Sequence, residues 1–265
     1  MNPLFIPTLL LAAGLFIAGW KTAAWNRSYA GNVVALFAAL PAFTFALYYT
    51  GWLGEPQWLY WFRAQPYTEL SAAGLGGLAG RLEFHRRQHP RLQRSVSAFF
   101  IPFLALLCLS APYLKQVFLR PDWSHFEDRW EGEVCRQSTE SSCGPAAAAT
   151  FLRHFGIQAT ERTLAEESFT TRRGTENWYL LRTLHRHGSK ARSVVLSPGL
   201  DHLQFPAIAG VKLKTLDNTG HFIALLGKQG DRFIIGEPVN GREELSRETL
   251  AERYTFTGFY IVAED

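Results

Sequence analysis

The chain has 265 residues, room for one or two ordinary domains, with a net charge of +4 and 47% hydrophobic residues. Residues 1–120 carry 10 Lys/Arg against 3 Asp/Glu, whereas residues 121–265 carry 17 against 20. The basic surplus sits in the apolar half, where it reads as membrane-flanking charge and not as a nucleic-acid footprint, and 3 cysteines are too few for a disulfide scaffold.

In chain order, residues 2–20, 28–53 and 95–115 are long and apolar enough to span a bilayer, which takes roughly 20 residues. Trp20, Trp25, Tyr49, Trp52 and Tyr113 gather at their ends as interface anchors do. Thr22-Ala23-Ala24 resembles a signal-peptide cleavage site, but no Lys or Arg precedes the first apolar run, so a retained span is expected. Arg81, Arg86, Arg87, Arg91 and Arg94 crowd the entrance to the third span and assign that side to the cytoplasm. The C-terminal half is then expected outside, at the periplasmic face of a bacterial inner membrane. Residues 58–80, which mix aromatics, Arg63, Glu69 and a Gly/Ala run, predict an interfacial helix or a re-entrant piece.

From Pro121 the composition is that of a soluble α+β domain. Ser141 or Ser142 can cap a helix with Pro145 in its first turn, Ala146 to Phe155 following and Gly156 as its stop. Shorter helices are predicted over 160–167 and 176–187. Strands are predicted over 191–196, 206–213, 221–227, 232–236 and 256–263, with a helical turn over 247–254. Helices followed by an antiparallel sheet make an α+β layout. The domains expected are an all-α transmembrane region over 1–120 and the α+β domain over 121–265. Trp178 and Tyr179 read as helix-to-sheet packing, Arg172-Arg173 as a solvated loop, and the Gly/Ala run as close helix packing.

Cys143 opens the first helix of the second half. Backbone N–H groups and the helix dipole favour an anion there, and the thiolate is the nucleophilic form of cysteine. Such a thiol needs a base, and His221 stands where Gly220 gives way to the apolar strand Phe222–Leu226. The base needs a third group to orient it, and Glu237 lies at the end of the next strand, across one hairpin. An oxyanion needs donors; the Cys143 N–H is one, and the side-chain amide of Gln137, six residues upstream, is a second.

The order Gln137, Cys143-Gly144-Pro145, His221-Phe222, Glu237-Pro238 with Gly241, and Thr257-Gly258-Phe259-Tyr260 resembles the bacteriocin-processing cysteine peptidases that cut after double-glycine leaders, over roughly residues 130–265. The resemblance implies a papain-like fold with Cys143 as nucleophile, His221 as base, Gln137 in the oxyanion hole, and neither metal nor organic cofactor. Three departures stand out. Glu237 occupies the position where the family usually has Asp. No Gly-rich, lysine-containing phosphate loop is present, so an exporter ATPase is not expected here. The charge rule also assigns the domain to the outside, whereas the family's transporter-fused members face the cytosol.

The function expected is a membrane-anchored thiol endopeptidase cleaving a peptide or small protein, with cleavage after small residues such as glycine implied by the resemblance. A second hypothesis is a catalytically silent peptide-binding module, motivated by Glu237 and by Cys135, which in an oxidising compartment could pair with Cys143. A related thiol transferase or amidase is the third. The partners expected are a peptide or protein substrate and membrane lipid, with a separate transporter as a further candidate, and no nucleic acid.

Overall fold

The computed structural model describes residues 2–25, 28–48, 56–95, 97, 99–198, 200, 203–215 and 219–264, with the backbone alone at 46–48. Tyr49, Trp52, His202 and the far end of the second expected span lie outside the described residues. Helices α1 (Phe5–Trp25) and α2 (Tyr29–Tyr48) are followed by α3 (Gln57–Ala64). A 3-10 segment, Thr68–Ala73, leads into α4 (Gly74–Gln88), then come α5 (Pro90–Ser95) and α6 (Phe100–Phe118). The chain divides into two compact units, residues 1–55 with 65–118, and residues 56–64 with 119–265.

The first unit is helical. Helices α1 and α6, of 21 and 19 residues and mean hydropathy 1.5, are long and apolar enough to cross a membrane, and the apolar stretch Tyr29–Phe45 of α2 is shorter. Helix α4 packs against both α1 and α2. Its glycines explain how: a Cβ at Gly76 would collide with the carbonyl of Ala12, one at Gly80 with that of Phe16, and one at Gly74 with that of Ala38. Only a residue without a side chain lets the backbones approach so closely. The segment Ala72 to Gly80 is therefore an inner helix-packing element. Helix α1 runs straight through Thr22-Ala23-Ala24, with Ala23 fully buried. Polar groups inside the unit find close partners. The Asn2 amide donates to Glu69 at 3.0 Å, Thr8 Oγ1 meets the Tyr113 hydroxyl at 3.2 Å, and buried Glu83 takes a bidentate pair of bonds from Arg86 at 2.6 and 2.7 Å.

The second unit is the α+β domain. It contains a short hairpin, β1 (Arg129–Glu131) and β2 (Val134–Arg136), and the helices α7 (Cys143–His154), α8 (Glu161–Glu167) and α9 (Asn177–Arg186). These precede β3 (Ala191–Val195), β4 (Ala207–Leu213), β5 (Thr219–Gln229), β6 (Arg232–Glu237) and β7 (Gly241–Ser246). Helix α10 (Arg247–Arg253) and β8 (Tyr254–Ala263) close the chain. The described strands of the large sheet run in the order β3-β8-β4-β5-β6-β7, all neighbours antiparallel. The sheet is buried on both faces. Ile208, Ala224 and Ile261 face the helices, while Ile223, Leu225, Ile235 and Tyr260 face a second cluster closed by Leu250 of α10. The run Ala146–Ala149 is fully buried, and its small side chains let α7 lie close against β5.

Two features differ from expectation. Strand β7 was not predicted because Arg242, Glu243 and Glu244 give it the polarity of a loop; it lies at the sheet edge, where charged strands resist edge-to-edge pairing. The expected boundary at residue 120 is crossed by α3. Tyr60 and Ala64 enter the core of the second unit, with the Tyr60 ring 4.6 Å from that of Phe259. The Arg63 guanidinium lies 4.3 Å over Trp178, and the Arg63 carbonyl accepts from Arg182 at 2.6 and 2.9 Å. Trp178 and Tyr179 are accordingly buried packing residues.

Candidate active site

Cys143 is the first residue of α7, after Ser142, whose side chain makes no capping bond to the helix. The first intrahelical bond is Ala146 N–H to the Ser142 carbonyl at 3.1 Å. The early N–H groups of α7 thus have no side-chain cap, and Pro145 removes one donor that would otherwise need a partner. Gly144 leaves room beside the thiol: a Cβ there would press on Phe222 at 3.3 Å and on Thr175 at 3.4 Å.

His221 enters from β5 and pairs across the sheet with Val211. Its Nε2 lies 2.5 Å from Glu237 Oε1, and hydrogen bonding and charge from the Cys143 side chain favour its protonated form. The register joining Ala224 to Gly236 sets Glu237 opposite Ile223, so His221 is its diagonal neighbour. Diagonal positions across an antiparallel pair are about 7–8 Å apart, a gap that a long side chain closes. This is a geometric reason for glutamate here. Glu237 is 2% exposed, and its Oε2 accepts the N–H groups of Val239 at 2.7 Å and Asn240 at 2.5 Å. Burial, the largest influence on His221, opposes its charged form. Hydrogen bonds and charge from Cys143 and Glu237 outweigh it and push the imidazole from its ordinary 6.5 up to about 9.

Gln137 follows β2. Its backbone N–H donates to the Pro238 carbonyl at 2.8 Å, so the turn that carries Glu237 also holds Gln137. Its side-chain Nε2 donates to the Thr139 carbonyl at 2.8 Å, which fixes which end of the amide bears the hydrogens and leaves one N–H for another acceptor. The structure thus hydrogen-bonds His221 to Glu237, has Cys143 act on the same imidazole, and ties Gln137 to the turn that carries Glu237.

Cys135 does not join them. No disulfide links it to Cys143, and all three cysteines are free thiols. The Cys135 N–H donates to Thr150 Oγ1 at 2.9 Å, and burial pushes its thiol well above the ordinary range. Arg172 bonds the Arg120 carbonyl at 3.0 Å from the loop beside Thr175. Among the described residues no three His, Cys, Asp or Glu side chains gather as a metal-binding set. Glu161 was not singled out from the sequence. An acid just after the capping Thr160 reads as a solvated partner of the helix dipole, yet this one is fully buried beneath the Gln137–Cys143 loop.

The model of the Peptidase C39 family matches residues 131–265. An uncharacterised protein of Methanothermobacter marburgensis is 32% identical over 131 residues, 49% of this chain and 87% of that protein. The Pseudomonas fluorescens protein designated Probable functional amyloid protease FapD is 27% identical, over 52% of this chain and 63% of its own length. Among solved structures, the peptidase domain of Streptococcus ComA, a bi-functional ABC transporter, is 25% identical with a TM-score of 0.42, over 49% of this chain and 96% of that domain. A double glycine motif protease from an AMS/PCAT transporter, in complex with its leader peptide, is 22% identical with a TM-score of 0.42, over 52% of this chain and 94% of that one.

Proposed function

This chain belongs to the peptidase C39 family, and from that premise we propose that it is a membrane-tethered cysteine endopeptidase acting through Cys143, His221, Glu237 and Gln137. The observation that carries this reading is a buried His221 hydrogen-bonded to Glu237, with Cys143 at the start of α7 as the other group that favours its imidazolium. A catalytic thiol needs a base within reach, and the base needs a fixed orientation. Glu237, held by two backbone N–H groups, supplies that orientation.

In the proposed mechanism the Cys143 sulfur attacks the scissile carbonyl carbon, and the carbonyl π electrons move onto oxygen. The oxyanion accepts the Cys143 N–H and the second N–H of the Gln137 amide. His221 then gives its proton to the leaving amine, and a thioester to Cys143 remains. Water attacks the thioester as His221 takes up a proton; the C–S bond breaks and the acid product leaves. An imidazole with its pKa near 9 is protonated at neutral pH, as the first half of this cycle requires.

Helices α1 and α6 support a membrane tether. The charge bias around Arg81–Arg94 supports an outward-facing peptidase that acts on peptides already exported. The family's link to leader cleavage supports small residues such as glycine before the scissile bond. The relative designated a probable functional amyloid protease adds amyloid-forming proteins as a class of substrate to test.

The first experiment is the pH dependence of Cys143 alkylation in the full chain beside His221→Ala. Reaction well below the ordinary thiol pKa of about 8.5, lost in the variant, supports the pair. An ordinary thiol profile in both proteins would end the catalytic reading. A phosphatase reporter that works only outside the cytoplasm, fused after residue 265, tests the orientation: an inactive fusion would put the domain inside.

A further inference from the structure

We infer that Glu161 is a positioning residue that holds the oxyanion loop of this peptidase from beneath and so sets the Gln137 amide. The inference rests on the function proposed above and extends it to a residue outside the Cys-His-Glu chain.

Glu161 is the first residue of α8 and is 0% exposed. A carboxylate removed from water in this way is strongly disfavoured unless its lone pairs are satisfied. Here one oxygen accepts the Ser138 N–H at 2.8 Å and the other accepts the Ser138 hydroxyl. The Ser142 hydroxyl donates its one proton to the Thr139 carbonyl at 3.0 Å. The acid itself is fixed from the other side, its N–H donating to Asp128 Oδ1 at 3.0 Å.

Ser138, which Glu161 anchors, and Ser142 bracket the loop. Ser138 directly follows Gln137, and Ser142 directly precedes Cys143. Between them the loop closes on itself: the Thr139 N–H donates to Ser142 Oγ at 3.0 Å, and the Thr139 carbonyl takes the Gln137 amide. The position of Gln137 Nε2 is therefore set by Thr139, that of Thr139 by Ser142, and that of Ser138, between Gln137 and Thr139, by Glu161. Burial raises the Glu161 carboxyl above its ordinary range while the bonds from Ser138 pull against it, as expected of an acid kept in place by these contacts. An apolar residue would fill the same space. A carboxylate adds directional acceptors, and oxyanion donors need that kind of preorganisation.

The test separates the oxyanion loop from the thiol–imidazole pair. N-acetylglycinal, small enough to need no specificity pocket, adds reversibly to a reactive cysteine: the C–S bond forms, the carbonyl becomes an alkoxide, and His221 supplies its proton. Its affinity reads the oxyanion donors, and it is measured in the full chain by protection of Cys143 against iodoacetamide. Alkylation by iodoacetamide makes no oxyanion and reads only the pair. Glu161→Gln is expected to weaken the aldehyde roughly 10-fold, less than the roughly 10²–10³-fold for outright loss of an oxyanion donor because the donor is displaced and not removed, with the pH profile of alkylation unchanged. On a Gln137→Ala background the same change is expected to add less than about 3-fold, since both variants disable one donor.

Full aldehyde affinity in Glu161→Gln, or full multiplication of the two effects, overturns the inference. So does a parallel loss of alkylation, which would make Glu161 a support of the whole fold. If Glu161→Gln does not fold, Ser138→Ala decides: weaker aldehyde binding with unchanged alkylation supports the inference, and unchanged binding overturns it. An ordinary, His221-independent Cys143 in the unaltered chain would instead remove the proposed function itself, and this inference with it.

Discussion

Both units bury charged groups, but they satisfy them differently. In the helical unit, Glu83 meets Arg86 and Arg87 three and four residues along the same helix. These partners are fixed by helical geometry and need nothing from the rest of the fold. In the α+β unit, His221 meets Glu237 across two strands and Cys143 from the start of a distant helix, while Glu161 meets Ser138 from another. Local pairing makes a charge tolerable inside an apolar bundle. Long-range pairing makes it depend on the complete fold, as a preorganised site must.

The strongest way to break this comparison is Cys143→Ala. Cleavage of a substrate peptide should fall by roughly 10⁴-fold or more, with His221→Ala on top adding little, because groups that act as a unit are not additive. Residual cleavage near the starting rate, followed by mass spectrometry of the products, would move the nucleophile elsewhere.

Next in size, Gln137→Ala should lower kcat by about 10²–10³ while leaving KM almost unchanged. A rise in KM alone, in steady-state kinetics, would make Gln137 a substrate contact.

Tyr60→Ala sharpens the comparison from the side of stability. It removes a buried ring from the second unit, and truncations of that kind cost about 3–5 kcal/mol. In chemical denaturation of the full chain, the transition that releases the Cys143 environment should move to lower denaturant. If it stays where it was, α3 contributes nothing to the core it occupies.

The smallest expected effect is that of Glu237→Gln. Losing the carboxylate removes one of the influences that raise His221, so the imidazolium gives up its proton at lower pH. The basic limb of the pH–rate profile, expected near 9 in the unaltered enzyme, should move toward neutrality, and kcat should fall about 10-fold, a shift of about one pKa unit being worth 1.36 kcal/mol. An unmoved limb would show that Glu237 orients His221 without tuning it.

Much of the molecule is legible in the sequence because its causes are local. Three apolar runs, a Cys-Gly-Pro helix start, a Gly-His-Phe strand start and the hairpin between β5 and β6 each follow from neighbouring residues, and α7 does begin at Cys143. The order of Gln137, Cys143, His221 and Glu237, with the family resemblance it carries, named the candidate site residues. What the sequence by itself could not determine is which distant groups close on one another. Tertiary structure alone takes α3 out of the helical half and into the α+β unit, because Tyr60 and Ala64 complete a core built mainly from residues more than 70 positions away. It alone turns the polar run of β7 into an edge strand, and shows Cys135 committed to the core and not to a disulfide. It alone buries Glu161 under the loop that precedes Cys143. Helix and strand periods are written in nearest neighbours, whereas the partner of a buried carboxylate is chosen by how the elements pack.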